Sequence, residues 1–314
     1  MKKQALLLSL VVSIFILFLV GCSKDNSTTT NSSKTISYNN ETYTVPKNPK
    51  RIVVLSNSLL SMLHAIQVDP IGRVTTSDTL PTDLESIPSV GHTANINMEQ
   101  LLALKPDEVL GLQSQHSKYK DQLQANQIPS TLINYDGIKD NIPLITFLGE
   151  LTNHEEQAKQ VTQIYTKQMN AVHQAIQGKP SPTIAVLRAT GKGVTAETPT
   201  AIAASMVKEL HMTNVVANHL KENTTDKTVP YSLETLTQDN PDIIFIVTMG
   251  KEAEITKAME KDMTNNPAWS HLAAVQNHKV IYLPSNLFLL NPGLQTPQAM
   301  ARLVHDAYDI TVQF

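Results

Sequence analysis

Few residue spacings in this 314-residue chain could support catalysis. Among its ten histidines, His211 and His219 are eight apart and His271 and His278 seven apart, and neither spacing builds a metal face by itself. There is no His-Glu-x-x-His pair and no Gly-x-Ser-x-Gly elbow for a nucleophile. Gly191-Lys192-Gly193 lacks both the third glycine of a dinucleotide loop and the Lys-Ser/Thr of a P-loop, so it is weak evidence for phosphate. Cys22 is the only cysteine, which excludes an intrachain disulfide. What the chain offers instead is a pair of glutamates, Glu99 and Glu234, at matching places in a repeated stretch. Taken alone, each reads as a charge in the first turn of a helix.

The repeat runs from Asn97 to Leu110 and again from Ser232 to Phe245. Each copy has an apolar residue, a Glu, a short amphipathic run, then Pro-Asp and an apolar β-rich run. A Glu in a first turn is favoured by the helix dipole. Pro ends the helix and pushes the residue before it out of the helical region. Each copy therefore predicts a short helix feeding a buried strand. Around both copies strands and helices alternate: Arg51 to Leu55, a helix carrying Leu59, Leu60, Leu63 and Ile66, then Val109 to Leu112 and Thr131 to Ile133; later Thr183 to Leu187, Ala201 to Leu210, Asn214 to Val216, Ile243 to Val247 and Lys279 to Leu283. This spacing predicts two doubly wound α/β lobes. Between them, Asn153 to Gln177 carries apolar residues at spacings of three and four, including Ile164, with Asn153 as the expected N-cap and Gly178 as the end. The expected division is a lobe over 35–151, a single bridging helix over 152–178 and a lobe over 179–314. A small hairpin is expected around Asn39-Asn40.

The N-terminus reads as a targeting segment. Lys2-Lys3 precede 16 almost wholly apolar residues, Ala5 to Val20, a length suited to a signal peptide rather than a span. Leu19-Val20-Gly21-Cys22 looks like a bacterial lipobox, so 1–21 is expected to be removed and Cys22 lipidated. Residues 22–34, polar and low in complexity, are expected to form a disordered tether. A formal charge of −3 with 17% charged residues gives no basic excess for nucleic acid. In open α/β sheets ligands bind beyond the carboxyl ends of strands. The expected cleft residues are thus Ser56, Asn57, Thr190 and the apolar Leu287, Phe288 and Leu289, for which packing on the lobe core is the alternative.

Pro49 to Leu55, Val90-Gly91 followed by Met98 to Asp107, and Asn240 to Ile244 resemble the helical-backbone class of ABC-transporter substrate-binding proteins, over about residues 35 to 310. That class takes up ferric siderophores, haem and cobalamin. The resemblance implies a non-enzymatic lipoprotein on the outer face of the cytoplasmic membrane, with a ligand cleft between the lobes. It implies an ABC permease dimer with its ATPase as partner, docked through Glu99 and Glu234, and a monomeric binding protein. Within the class, Thr76 to Pro81, Val90-Gly91 and Trp269 to Asn277 are similar to Gram-positive haem-binding lipoproteins, which implies haem as the transported ligand and surface haem donors upstream. Those relatives hold iron with a Met after the Val-Gly and a His after the Pro-Asp-Ile-Ile strand. Here the first position falls at Ala94, with His92 two residues earlier, and the second at Met249. The resemblance therefore implies His92 and Met249 as an exchanged axial pair, which iron accepts. Lys251 is then placed to meet a propionate. A ferric siderophore is the runner-up, weakened by having only four Arg and one Trp; an exported α/β enzyme is a distant third.

Overall fold

The structure is a computed structural model that describes residues 33–76 and 80–314, without the side chains of residues 263 and 264. The signal-peptide, lipobox and most of the tether expectations lie outside these residues. Where description begins, the tether expectation fails. Lys34 belongs to β1 (Ser33–Tyr38), and its ammonium donates to the Glu150 carbonyl and to Asn153 Oδ1. β1 pairs with β2 (Glu41–Pro46) through a turn in which Asn39 and Asn40 both have positive φ, 47° and 65°. Asparagine tolerates that region better than other non-glycine residues, which explains the hairpin at this pair. Tyr38, Tyr43 and Phe147 form an aromatic cluster beneath it.

The first half of the chain builds one parallel array. β3 (Ile52–Val54), β4 (Arg73–Thr75), β5 (Ser89–His92), β6 (Asn95–Ile96), β7 (Glu108–Leu112) and β8 (Ser130–Ile133) form two three-stranded sheets, β3-β7-β8 and β4-β5-β6. A bridge from Val53 to Gly72 joins them. A Cβ on Gly72 would lie 2.5 Å from Leu104 Cδ1 and 3.0 Å from Val53 Cγ2, so a larger residue here would require the Leu104 side chain to shift. All pairings are parallel except β5 with β6. Leu59, Leu60 and Leu63 of the helix Asn57–Ala65, with Ile66 just after it, are fully buried on one face.

The second half builds its sheet from β9 (Thr183–Thr190), β10 (Gly193–Glu197), β11 (Thr213–Asn214), β12 (Thr228–Val229), β13 (Ile243–Met249) and β14 (Val280–Leu283), in the order β12-β10-β9-β13-β14 with β11 also on β9. β9 runs three residues beyond its expected end, then folds back as the unforeseen antiparallel strand β10. The strand expected at Asn214 to Val216 stops at Asn214, whose side chain accepts from Val216 N–H and starts a 3₁₀ turn.

The two repeat copies fold alike. Asn97 Oδ1 accepts the Gln100 N–H at the start of the helix Met98–Ala103, and Ser232 Oγ accepts the Thr235 N–H at the start of Leu233–Asp239. After each helix the chain enters positive φ, at Lys105 (48°) and Asn240 (40°). The aspartate of each Pro-Asp then clasps the neighbouring strand. Asp107 accepts from Lys50 and Arg51 N–H, both at 2.8 Å, and Asp242 accepts from Thr183 N–H at 2.8 Å and Thr183 Oγ1 at 2.7 Å. One residue on, the strands are in register, Ile52 with Glu108 and Ile184 with Ile243.

The long helix is Glu155–Ala175, about 31 Å at 1.5 Å per residue. Asn153 is not its N-cap. It closes the preceding helix Asn141–Thr152, which the sequence pattern did not announce, with φ of 60°. Ala158, Tyr165 and Val172, seven apart, are its buried seam, while Ile164 is 59% exposed on the other side. Ala158 and Val161 pack into the core of the first half, and Met169, Val172, Ala175 and Ile176 into that of the second. One rigid element thus belongs to both cores. At its middle, Asn141 Nδ2 reaches Tyr165 Oη (2.9 Å), the Gly293 carbonyl (3.1 Å) and Thr296 Oγ1 (2.8 Å), while Asn141 Oδ1 accepts from Tyr135 Oη.

One position in this scaffold stands out electrically. Glu108 is wholly buried where the second sheet has Ile243, and neither carboxylate oxygen has a full hydrogen bond. Burial raises its pKa to about 8, partly opposed by Thr131 alongside. Its carboxyl is protonated in the folded chain at neutral pH and ionised in the unfolded one. Its contribution is intact below the unfolded value of 4.5 and is lost as pH rises toward 8. Denaturation of Glu108→Gln beside wild type should show wild type losing ~1.4 kcal/mol per pH unit relative to the variant across that window. Parallel pH profiles for the two proteins would contradict this account.

Candidate functional site

The carboxyl ends of the parallel strands mark where a ligand would sit. In the first half these ends are Ser56-Asn57 after β3 and His92 at the end of β5. In the second they are Thr190 at the end of β9, Met249 at the end of β13 and the turn after β14. Met249 and Thr190 are direct cross-strand partners, and Thr190 is paired in turn with Gly193. The structure therefore gathers Thr190, Met249 and the Gly191-Lys192-Gly193 tip at one end of the central strands. Met249 is 52% exposed there, uncommon for a large apolar side chain ending a buried strand.

His92 is exposed at the β5–β6 turn, opposite Asn95. Gly91 before it has φ of 105°, and a Cβ at this position would lie 2.6 Å from the Asn95 carbonyl. The turn thus requires glycine, which gives a backbone reason for the Val-Gly. The His92 backbone pairs with Thr75 and Asn95, while its ring makes no hydrogen bond to another described residue.

The remaining expected residues divide. Ser56 is buried, and Asn57 begins a helix with its Oδ1 buried and unpartnered. Of Leu287, Phe288 and Leu289, the core-packing alternative holds for Phe288. Ser285–Phe288 forms a short helix that turns Phe288 fully into the core of the second half, with Leu287 and Leu289 packed partly against it. Leu290, 58% exposed, is the uncovered side chain of this segment. The segment reaches the first half, because Ser58 Oγ donates to the Asn291 carbonyl at 2.8 Å. Thr190 is engaged locally, its hydroxyl donating to the Gly193 carbonyl and accepting from Lys192 N–H. Lys251 is exposed and paired with Glu254 at 3.0 Å. Glu99 and Glu234 both stand exposed in the first turns of the two repeat helices.

Two other side chains of types that can ligate iron, His116 and Tyr282, lie in buried surroundings. His116 is wholly buried, and both ring nitrogens are engaged: Nδ1 accepts from Leu112 N–H and Nε2 faces the Thr93 carbonyl, each at 2.9 Å. This assigns the proton to Nε2. Desolvation lowers its pKa, keeping it neutral. Tyr282 has its phenol pushed up to about 12 by burial, and its hydroxyl is buried without a partner among the described residues.

Sequence reasoning missed a charged pair at the same level of the second sheet. Arg188 on β9 gives Nε and Nη2 to a single oxygen of Glu197 on β10, at 2.9 and 2.6 Å. Glu197 is fully buried and its other oxygen is unpartnered. Its pKa is raised by burial, with Arg188 pulling the other way. No local signal precedes this pair, since β10 itself was not foreseen. Elsewhere, His64, Asp69 and Asp83 bring their ligand atoms within 4.8 Å of one another, but both aspartates are exposed.

Two α/β halves on one shared helix, with an uncovered thioether and an unpaired imidazole at strand ends, define a ligand-capturing protein. A family model described as "Periplasmic binding protein" matches residues 52–287, and the chain belongs to this family. It is 26% identical over 262 residues to the high-affinity heme uptake system protein IsdE of Staphylococcus aureus, covering 81% of this chain and 85% of that protein. The crystal structure of S. aureus IsdE complexed with heme superposes with a TM-score of 0.70 at 24% identity, over 82% of this chain and 98% of that one. S. aureus SirA complexed with staphyloferrin B gives 0.71 at 20% identity, over 87% and 98%.

Proposed function

We propose that this chain is the substrate-binding component of an ABC importer, capturing haem outside the cell membrane and delivering it to a permease and its ATPase. Met249 carries the reading: a half-uncovered thioether at the end of a central strand, where the haem-uptake relative makes an iron porphyrin the expected ligand. Thioether and imidazole are a workable axial pair for haem iron. In this reading residues 35–151 and 179–314 are lobes on either side of the long helix, His92 comes from the first and Met249 from the second, and no reaction is catalysed. A ferric siderophore is the second reading, favoured by the likeness to SirA with staphyloferrin B.

Titration of the purified protein with hemin should give a saturable Soret band and a low-spin spectrum. His92→Ala should lose the low-spin signature and weaken binding. Met249→Ala should retain hemin with an open or water-filled sixth position. Wild-type spectra from both variants would refute the ligand pair, and binding of a ferric siderophore but not hemin would select the second reading.

Glu99 and Glu234 are proposed to dock the permease, one from each repeat helix. Exposed ion pairs contribute only about 0.2–1 kcal/mol each, so their effect lies in encounter and register. Changing both to Ala should leave hemin affinity intact and cut uptake by cells. Unimpaired uptake would remove the assignment.

Membrane retention is assigned to a lipid on Cys22, from the lipobox. A single acyl chain gives only marginal anchoring, so more than one is needed. Cell fractionation of Cys22→Ala should find the protein in the medium or as an unprocessed precursor; normal processing and retention would exclude the anchor.

A further inference from the structure

The ring of His92 makes no hydrogen bond to another described residue, and the hairpin that carries it is very short. β5 and β6 share two residue pairs, Gly91 with Ile96 and His92 with Asn95. So short a ribbon does not hold itself in water. On one side β4 supports it, pairing Thr75 with His92, and on the other side the loop takes its geometry from a second source. Three side chains from one turn of chain each take a different backbone group of the loop. His116 Nε2 donates to the Thr93 carbonyl at 2.9 Å, Lys118 Nζ to the Ala94 carbonyl at 2.8 Å, and Tyr119 Oη accepts the Ile96 N–H at 2.9 Å. The three are also tied to one another and to the sheet. Lys118 Nζ lies 5.0 Å from the centroid of the Tyr119 ring, the His116 and Tyr119 rings stack at 6.5 Å, and His116 Nδ1 holds Leu112 N–H at the end of β7. The loop backbone is therefore referenced to the carboxyl end of a central strand.

We infer that His116, Lys118 and Tyr119 are positioning residues that fix the 92–96 turn, so that affinity for an iron porphyrin is set in part by a segment that does not ligate it. The inference rests on the proposed haem reading. Its physical basis is preorganisation: a loop already held in its bound geometry loses less conformational freedom when the ligand arrives. The brace acts on carbonyls and an amide rather than on the imidazole, so it leaves both ring nitrogens of His92 available.

The test combines hemin binding with amide hydrogen exchange on the full chain. Lys118→Met with Tyr119→Phe removes two of the three contacts while keeping most of the apolar bulk. Exchange at residues 93–96 should quicken, hemin affinity should fall about tenfold, as two lost hydrogen bonds would give, and the melting temperature of the ligand-free protein should stay close to wild type. His116→Gln, whose amide can still donate to Thr93, should bind hemin more tightly than His116→Ala. Wild-type exchange in the double variant overturns the inference, and so does faster exchange with wild-type affinity. Failure of the underlying reading shows separately, as an unchanged hemin spectrum in His92→Ala.

Discussion

The amide of Asn141 is the point on which the two halves depend. It is fully buried, it opens the helix Asn141–Thr152, and its two ends are both used: Tyr135 donates to the oxygen, while Tyr165, Gly293 and Thr296 share the nitrogen. Those partners come from the first half, the long helix and the start of the last helix, Thr296–Tyr308. Burial raises the pKa of both tyrosines, so they stay neutral donors and acceptors. Asn291 adds a second crossing, donating to the Gly137 carbonyl. A buried polar cluster of this kind is costly if one partner moves away, because desolvated groups are left unmatched. It therefore favours one arrangement of the halves over a range of them. The seam Ala158, Tyr165 and Val172 acts in the same sense, since bending the helix would disturb two cores at once.

Within each half, the repeated Pro-Asp does the equivalent job on a smaller scale. The proline stops the helix, and the aspartate caps the first N–H groups of the adjacent parallel strand, which would otherwise start without partners. Two strands are thereby set in register by one side chain. The same clasp fixes where each repeat helix begins relative to its sheet, and so where Glu99 and Glu234 emerge.

Much of this was legible because the physics is local. Asn39-Asn40, the Pro-Asp stops and the continuous apolar runs at Ile52 and Ile243 each specify backbone within a few residues. The helix Asn141–Thr152 was not legible, because it is buried nearly all round and has no polar stripe to betray a 3.6-residue period. Gly149 in it, where a Cβ would come 2.5 Å from that of Ala158, records a close helix contact that only the fold reveals. Asn153 was misplaced for a related reason: asparagine suits both an N-cap and a left-handed helix end, and the neighbouring helix decides. Phe288 and Leu290 show the same limit at the site. An apolar run says that something is covered, while a single turn of helix decides which side chain is turned inward. Nor does sequence spacing show that His116, some twenty residues from Thr93, holds its carbonyl.

The exposure of Met249 carries a chemical liability. A thioether open to solvent is oxidised to the sulfoxide, which is polar, chiral and bulkier, and which reverts only through a dedicated reductase. An apolar sulfur at the end of β13 would become an oxygen acceptor projecting beyond the sheet. Any ligand that covers this sulfur also shields it. Oxidation at Met249 should then fall on the empty form, and occupancy of the strand ends would double as protection of this side chain.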